Sequence, residues 1–570
     1  MKAKILLLAV TMTVSGLCLQ SAGCPSGFSE KESELAGNIR NYLNAGFPCA
    51  VTRIDAGLRA IRVCGRIEGD GPFSLCELMP FGEIGDAGAF RCRLGNGKKE
   101  LVFDRTFDRY VVRDGVSYDR TLSRWVIVRT GDSENRPLSH ARYADRIEPQ
   151  QQTRPLSPAS KKGLGDVHAD SLMICDLDEL GITSATVNIR ITTFMYSLSG
   201  PGRVEHTYGG EKYYFDAGYV RALDESLKIC RDRRIAVAAI ILINNAASAV
   251  DPVIGPLLQH PDYTPEGNYS MPDMSTFRSV QTYAAALDFL AARYCRSDER
   301  YGRIHYWIMH NEVDSGLEWT NMGPGKPVEV YMDAYVKSMR LCHNIVRRYD
   351  THAWVMASHT HAWAVADNPK TYASREMLEI LNAYCRAEGD FKWGLAFHCY
   401  PHSLYEPKTW LDEKALYTED TPIVTYKNLE VLDRWIRSPR NRYEEREKRP
   451  LWLSENGTNS PSYAEGDQCE QAAGFAWGWK KIAALDGIDT HVWHNWADHE
   501  QEYGLRIGLR KFPKDGRERK EVWHVYQAAG TPQEEAVFRK YLPVIGISDW
   551  NIIRDFPDSC NLSEIPRNAF

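Results

Sequence analysis

Two short stretches carry the residues best suited to chemistry. Trp307-Ile308-Met309-His310-Asn311-Glu312 and Leu451-Trp452-Leu453-Ser454-Glu455-Asn456-Gly457 each run from apolar, strand-like residues into a carboxylate. A pair of facing carboxylates can divide acid–base from nucleophilic work. Cleaving a glycosidic bond with retention needs such a pair at roughly 5–5.5 Å, one acid protonating the leaving oxygen while the other attacks the anomeric carbon. Charge at the end of a buried strand is costly without partners, so two such acids imply a use.

The elements that must position them follow from the rhythm of the chain. From about residue 163 strand-like and helix-like runs alternate, with strands expected at 163–167, 185–191, 235–244, 304–312, 353–359, 393–400, 450–455 and 490–496. Helices are expected at 171–180, 216–230, 277–294, 328–349, 468–485 and 521–528. Eight such units describe an α/β chain folded as a (β/α)8 TIM barrel, which carries its chemistry at the carboxyl ends of its strands. The exits are polar and aromatic: Asn188 and Arg190 on the second strand, Asn311 and Glu312 on the fourth, and His359 on the fifth. The sixth ends in His398 and Tyr400, the seventh in Glu455, and the eighth in Trp493 and Trp496. Asp498, Glu500 and Glu502 follow as a solvated loop.

Ahead of the barrel, a helix at 30–43 precedes short β-like runs such as 58–63, 101–103 and 125–128, broken at Gly69-Asp70-Gly71 and Asp114-Gly115. This reads as a β-rich, sandwich-like accessory domain with a linker, residues 24–150, leaving 151–570 to the barrel. Residues 1–23 have the basic start, apolar middle and small-residue end of a signal peptide, so export to the cell envelope or beyond is expected. Cys24 is a candidate for lipid attachment, and no membrane span is expected. Fourteen cysteines show no metal-ligand spacing; those of the N-terminal region could pair in an oxidising compartment. A net charge of −6 argues against a nucleic-acid partner, and no Gly-rich phosphate loop follows a strand, so no cofactor is expected.

Asn-Glu closing strand four, Glu closing strand seven, His-x-Tyr on strand six and Trp on strand eight resemble the clan A retaining glycoside hydrolases. The similarity extends over about residues 163–530 and suggests an uncharacterised bacterial glycosidase-like family of unknown substrate. It implies that Glu312 is the acid/base and Glu455 the nucleophile. It further implies that Asn311 holds the sugar 2-hydroxyl, that Tyr400 donates to Glu455, and that Arg190 lies beneath the nucleophile. Trp493 or Trp496 would be the platform under the reacting sugar, with His398, His359 and Asn188 also facing substrate.

Two other readings compete. The pairs His359/His361 and His398/His402, with His491, His494 and His499, could supply a metal-dependent barrel hydrolase, although the usual His-x-His on a first strand is missing. A non-catalytic carbohydrate-binding protein would keep the cleft without turnover. The expected partner is a polysaccharide or oligosaccharide. The long loops 194–215 and 244–275, carrying Tyr196, His206, Tyr208, Tyr213, Tyr214, Tyr263 and Tyr269, are expected to wall its cleft.

Overall fold

The computed structural model describes residues 28–84, 90–97, 101–129 and 136–554. The expected signal segment and Cys24 lie outside these residues. Eight parallel strands close a barrel in sequence order. They are β1 (Lys162–Leu164), β2 (Ser184–Arg190), β3 (Ala236–Leu242), β4 (Tyr306–Met309), β5 (Trp354–His359), β6 (Trp393–Phe397), β7 (Leu451–Asn456) and β8 (Thr490–Trp493), with β8 pairing back onto β1. Around them run α1 (Ser171–Glu179), α2 (Ala217–Asp232), α3 (Phe277–Tyr294), α4 (Val328–Val346), α5 (Ser374–Glu388), α6 (Leu429–Arg437), α7 (Glu465–Ala484) and α8 (Glu521–Ala528). The fold class expected from the sequence is the one observed. Helices α5 and α6 were not separately read from the sequence.

A strand sends successive side chains to opposite faces, and this period sorts the barrel residues. On β3, Ala236, Ala238, Ile240 and Leu242 fill the interior with Tyr306, Ile308, Trp354, Met356, Trp452 and Val492. The alternate residues Val237, Ala239 and Ile241 join the larger cluster under the helices. All seven residues of β3 are buried, which is why the strand reads as one apolar run.

Before the barrel, a helix at Glu30–Asn44 starts on a capping box, Ser29 with Glu32. Two small sheets follow, one ordered 101–108, 60–67, 50–56, 146–147 and the other 90–97, 71–78, 124–129. Ile54, Ile61, Val63, Phe73, Leu75, Phe103, Trp125 and Ile127 pack together between them, so the β-rich region is sandwich-like. Its outer elements are continuous with the barrel: Ala36, Ile39, Tyr118 and Leu122 belong to the same apolar cluster as α4 and α5. Polar ties reinforce the seam. Arg124 donates to Glu388 at 2.8 Å with both side chains 2 % exposed, and Asn344 donates to the Thr121 carbonyl at 2.8 Å. Among the described residues every cysteine is a free thiol.

The loop after β2 departs from expectation. It forms a three-stranded sheet, Met195–Tyr196, Arg203–Tyr208 and Glu211–Asp216, folded back against α3. Phe215 stacks on Phe289 with ring centroids 3.8 Å apart, His206 bonds Asp288 at 2.9 Å, and the Ser117 N–H donates to the Gly209 carbonyl at 2.8 Å. These aromatics serve packing between barrel and accessory domain and do not wall a cleft.

Removing one member of a buried ion pair strands the other charge, which costs about 3–5 kcal/mol. Glu388→Ala is therefore expected to lower the denaturant midpoint of the whole chain strongly. Asp55→Ala, which breaks the more exposed Arg53–Asp55 pair, should cost under about 1 kcal/mol. Equal midpoints for the two variants would refute a structural role for the seam.

Candidate active site

A cavity of about 1260 Å³ opens at the carboxyl ends of the strands, and all eight exits contribute to its wall. Two local departures from regular strand geometry set its floor. On β4, alternation from Tyr306 and Ile308 would bring His310 inward. Instead His310 adopts φ 63° and turns its ring out to the Ile241 carbonyl (3.2 Å) and Ser338 on α4 (2.9 Å). Glu312, at φ 39°, is also left-handed, and its N–H donates to Ser358 at 3.1 Å. Such conformations cost a non-glycine residue about 1–3 kcal/mol and persist where surrounding contacts enforce them. On β7, Leu451 and Leu453 face the helices and Trp452 the interior, so strict alternation would send Glu455 outward. The pairing of β7 with β8 shifts register between Leu453 and Asn456, and this irregularity brings Glu455 to the cavity.

One oxygen of Glu312, one of Glu455 and a ring nitrogen of His398 all lie within 4.8 Å of one another. His398 Nδ1 is 2.8 Å from Glu312 Oε1, and the Tyr400 hydroxyl donates to Glu455 Oε1 at 3.3 Å. Burial alone would push the His398 imidazole down, but the Glu455 and Glu312 carboxylates outweigh it and hold it above the ordinary histidine value. Behind Glu312, the buried Asp314 accepts from the Thr360 N–H (2.9 Å), the Thr360 hydroxyl and Ser374 (3.1 Å). Burial raises Asp314 to about 7 despite those donors. It ties the loop after β4 to β5 and α5.

Of the residues singled out from sequence, Glu312, Glu455, Asn311, Asn188, Arg190, His398, Tyr400 and Trp496 line the cavity. Trp496 is held by its indole N–H, which donates to the fully buried Asp176 at 2.7 Å. Arg190 lies on the wall, but its side chain bonds the Tyr269 hydroxyl at 3.4 Å and makes no hydrogen bond or ion pair with Glu455 among the described residues. The contact with Tyr269 is the side-chain hydrogen bond that the structure gives Arg190. His359 and Trp493 require correction. Both follow the outward period of their strands, His359 with Val355 and Ala357, and Trp493 opposite the inward Val492. Trp493 packs on Phe475 and Tyr526 and donates to the Ile507 carbonyl at 3.1 Å, and neither residue borders the cavity. Period two, applied strictly, would have excluded both.

Two residues given other places by the sequence, His494 as a candidate metal ligand and Asp498 in a solvated loop, also stand at the wall. His494 borders the cavity and faces Glu502 at 3.8 Å. Burial would lower His494, yet the Glu455 charge and contact with Glu502 lift it to about 9. Asp498 is 2 % exposed, accepting from the Gly508 N–H and the Tyr463 hydroxyl, each at 2.7 Å, and pairing with Lys520. The segment after β8 is therefore a braced wall, and only Glu500 of its three acids sits free on the surface, with Lys514. Of the tyrosines expected to wall the cleft, Tyr269 alone borders the cavity, near Trp319. Among the described residues, His398 is the one histidine of the metal reading found in a cluster of donors, and His491 bonds Tyr426 outside the barrel. Among the described residues, the donor set close enough to hold a metal ion is Glu312, His398 and Glu455.

Residues 154–553 match the profile of a family described as a family of unknown function (DUF5722). Among curated proteins, none matches the sequence. Solved structures with a similar course include a family 39 glycoside hydrolase from the gut symbiont Bacteroides cellulosilyticus WH2, at 13% identity and a TM-score of 0.41, covering 85% of this chain and 83% of that one. A Penicillium canescens endo-1,4-beta-xylanase aligns at 10% identity and TM-score 0.40 over 65% of this chain and 94% of its own. An exo-beta-1,4-mannosidase from Opitutaceae bacterium strain TAV5 aligns at 14% identity and TM-score 0.38 over 68% of this chain and 61% of its own. The barrel itself is established by the strand order above.

With a folded value near 9 against about 6.5 unfolded, His494 contributes stability that is full below pH 6.5 and fades as pH rises through 9. His494→Gln should thus lower Tm most below pH 6.5 and progressively less toward pH 10. Thermal melts of both proteins across that range check this; a pH-independent difference would contradict the charged pair.

Proposed function

The chain belongs to this family of unknown function, and we propose that it is a retaining glycoside hydrolase cleaving a polysaccharide or oligosaccharide by double displacement. The observation that carries the reading is the approach of Glu312 and Glu455, whose nearest candidate ligand oxygens are within 4.8 Å. That closeness suits the roughly 5–5.5 Å of a retaining pair and leaves little room for the water that an inverting pair at about 6.5–9.5 Å must admit.

In this reading Glu312 protonates the glycosidic oxygen as Glu455 attacks the anomeric carbon. Tyr400 donates to the carboxylate of Glu455 and orients it, and His398 holds Glu312 at hydrogen-bond distance. When the ester forms, Glu455 loses its charge. The field that favoured a protonated His398 weakens with it, so the electrostatics at Glu312 change between the two half-reactions. Glu312, now a carboxylate, takes a proton from the water that releases the sugar. Trp496 offers an aromatic face and Asn311 an amide at the cavity wall, suited to a sugar ring and its 2-hydroxyl. The volume of the cavity exceeds the roughly 300–1,000 Å³ of small-molecule sites, which favours a substrate of several sugar units. The leader-like N-terminus makes a glycan outside the cytoplasm the natural target.

Glu455→Ala is expected to lower kcat by about 10³–10⁶-fold, with partial recovery in azide through a glycosyl azide of inverted configuration. The test is a screen of purified protein against plant, algal and host glycans, reading reducing ends and anomeric configuration by NMR. Wild-type activity in the Glu455 variant, or an inverted product from the wild type, would refute the proposal.

A further inference from the structure

We infer that the floor of the cavity is also a binding site for a divalent transition-metal ion, zinc above all, formed by Glu312, His398 and Glu455, and that the ion blocks turnover. Binding stands on the geometry alone; its inhibitory consequence rests on the retaining reading.

Three donors from three strand exits meet at this point, two carboxylate oxygens and one imidazole nitrogen, all within 4.8 Å of one another. A tetrahedral zinc with bonds of about 2.0–2.2 Å brings its ligand atoms to roughly 3.4 Å apart. The His398 Nδ1 to Glu312 Oε1 separation, a hydrogen bond at 2.8 Å, must widen slightly, and Glu455 must close in. Its tether is light, a single 3.3 Å bond from Tyr400 among the described residues. His398 is buried, at 1 % exposure, and its backbone N–H donates to the His359 carbonyl at 2.8 Å, which fixes the main chain that carries the ring. The ion takes the place of the proton shared by His398 and Glu312, and that proton leaves to solvent. Waters complete the coordination from the cavity side.

The donor set also selects the ion. Calcium and magnesium want six or more oxygens, and three protein donors including a nitrogen do not supply them. An imidazole with two carboxylates suits zinc, copper, nickel or cobalt. An ion there engages both carboxylates that the proposed reaction needs free, so it competes with the sugar for one position.

Metal-free full-length chain is titrated with Zn²⁺ by calorimetry and with Co²⁺ by visible absorbance, alongside His398→Ala and Glu455→Gln, each first confirmed folded by thermal melting. The expected result is one ion per chain, affinity at least 10-fold weaker in each variant, and weak visible cobalt bands of nitrogen and oxygen ligation. With a turned-over glycan, zinc should inhibit competitively and a chelator should restore the rate. If His398→Ala does not fold, Glu455→Gln decides. Absence of binding, unchanged affinity in the folded variants, or an intense near-ultraviolet thiolate band assigning the ion to cysteines would overturn the site. Activation by zinc would overturn the inhibitory role. A chain that cleaves glycans yet binds no metal here sinks this inference alone and leaves the retaining reading intact.

Discussion

Like charges brought close in a confined space repel, and the mouth of this barrel is organised around two carboxylates held within 4.8 Å of each other. His398 sits against Glu312 with its proton favoured by both acids, Tyr400 donates to Glu455, and His494 adds a further positive charge facing Glu455 and Glu502. Asp314 completes the balance from behind, in a buried position where three donors and a raised proton affinity keep it from adding a full third charge. Remove any of these and the two acids have less reason to stay together.

The same requirement explains why this rim is where regular geometry fails. A strand delivers every second side chain to the interior, but Glu455 falls on the wrong beat and Glu312 lies beyond the end of β4. The left-handed turns at His310 and Glu312 and the register shift beside Glu455 re-aim both. The barrel below these points is regular, its interior filled by alternate residues of β3, β4 and β5.

Much of this was legible in the chain itself. Alternating strand and helix patterns gave the barrel, and the polar strand exits gave most of the cavity wall, because both are local properties of sequence. Helix α5, with Met377, Leu378, Leu381 and Cys385 buried at helical spacing, carried a signal that went unread. The outward faces of His359 and Trp493 were equally available from period two. Other features were not local. Nothing near Asp176 in sequence marks it as the anchor of Trp496, 320 positions away, or distinguishes Glu502 from its solvated neighbour Glu500. The aromatic loop after β2 misled because rings suited to sugars are equally suited to packing, and contact with α3 and the accessory sheets decided the matter.

The irregular pairing on β7 has a consequence for anyone seeking a sturdier version of this protein. Stabilisation by smoothing a strand, whether by shortening it one position or by imposing ideal ladder bonds, ordinarily strengthens a sheet. At Leu453–Asn456 it would rotate Glu455 into the hydrocarbon layer beneath the helices, among neighbours such as Leu453 and Trp493. Ruggedness and the placement of Glu455 therefore pull in opposite directions at this one bend, and the imperfect strand is the version that leaves an acid in the mouth of the barrel.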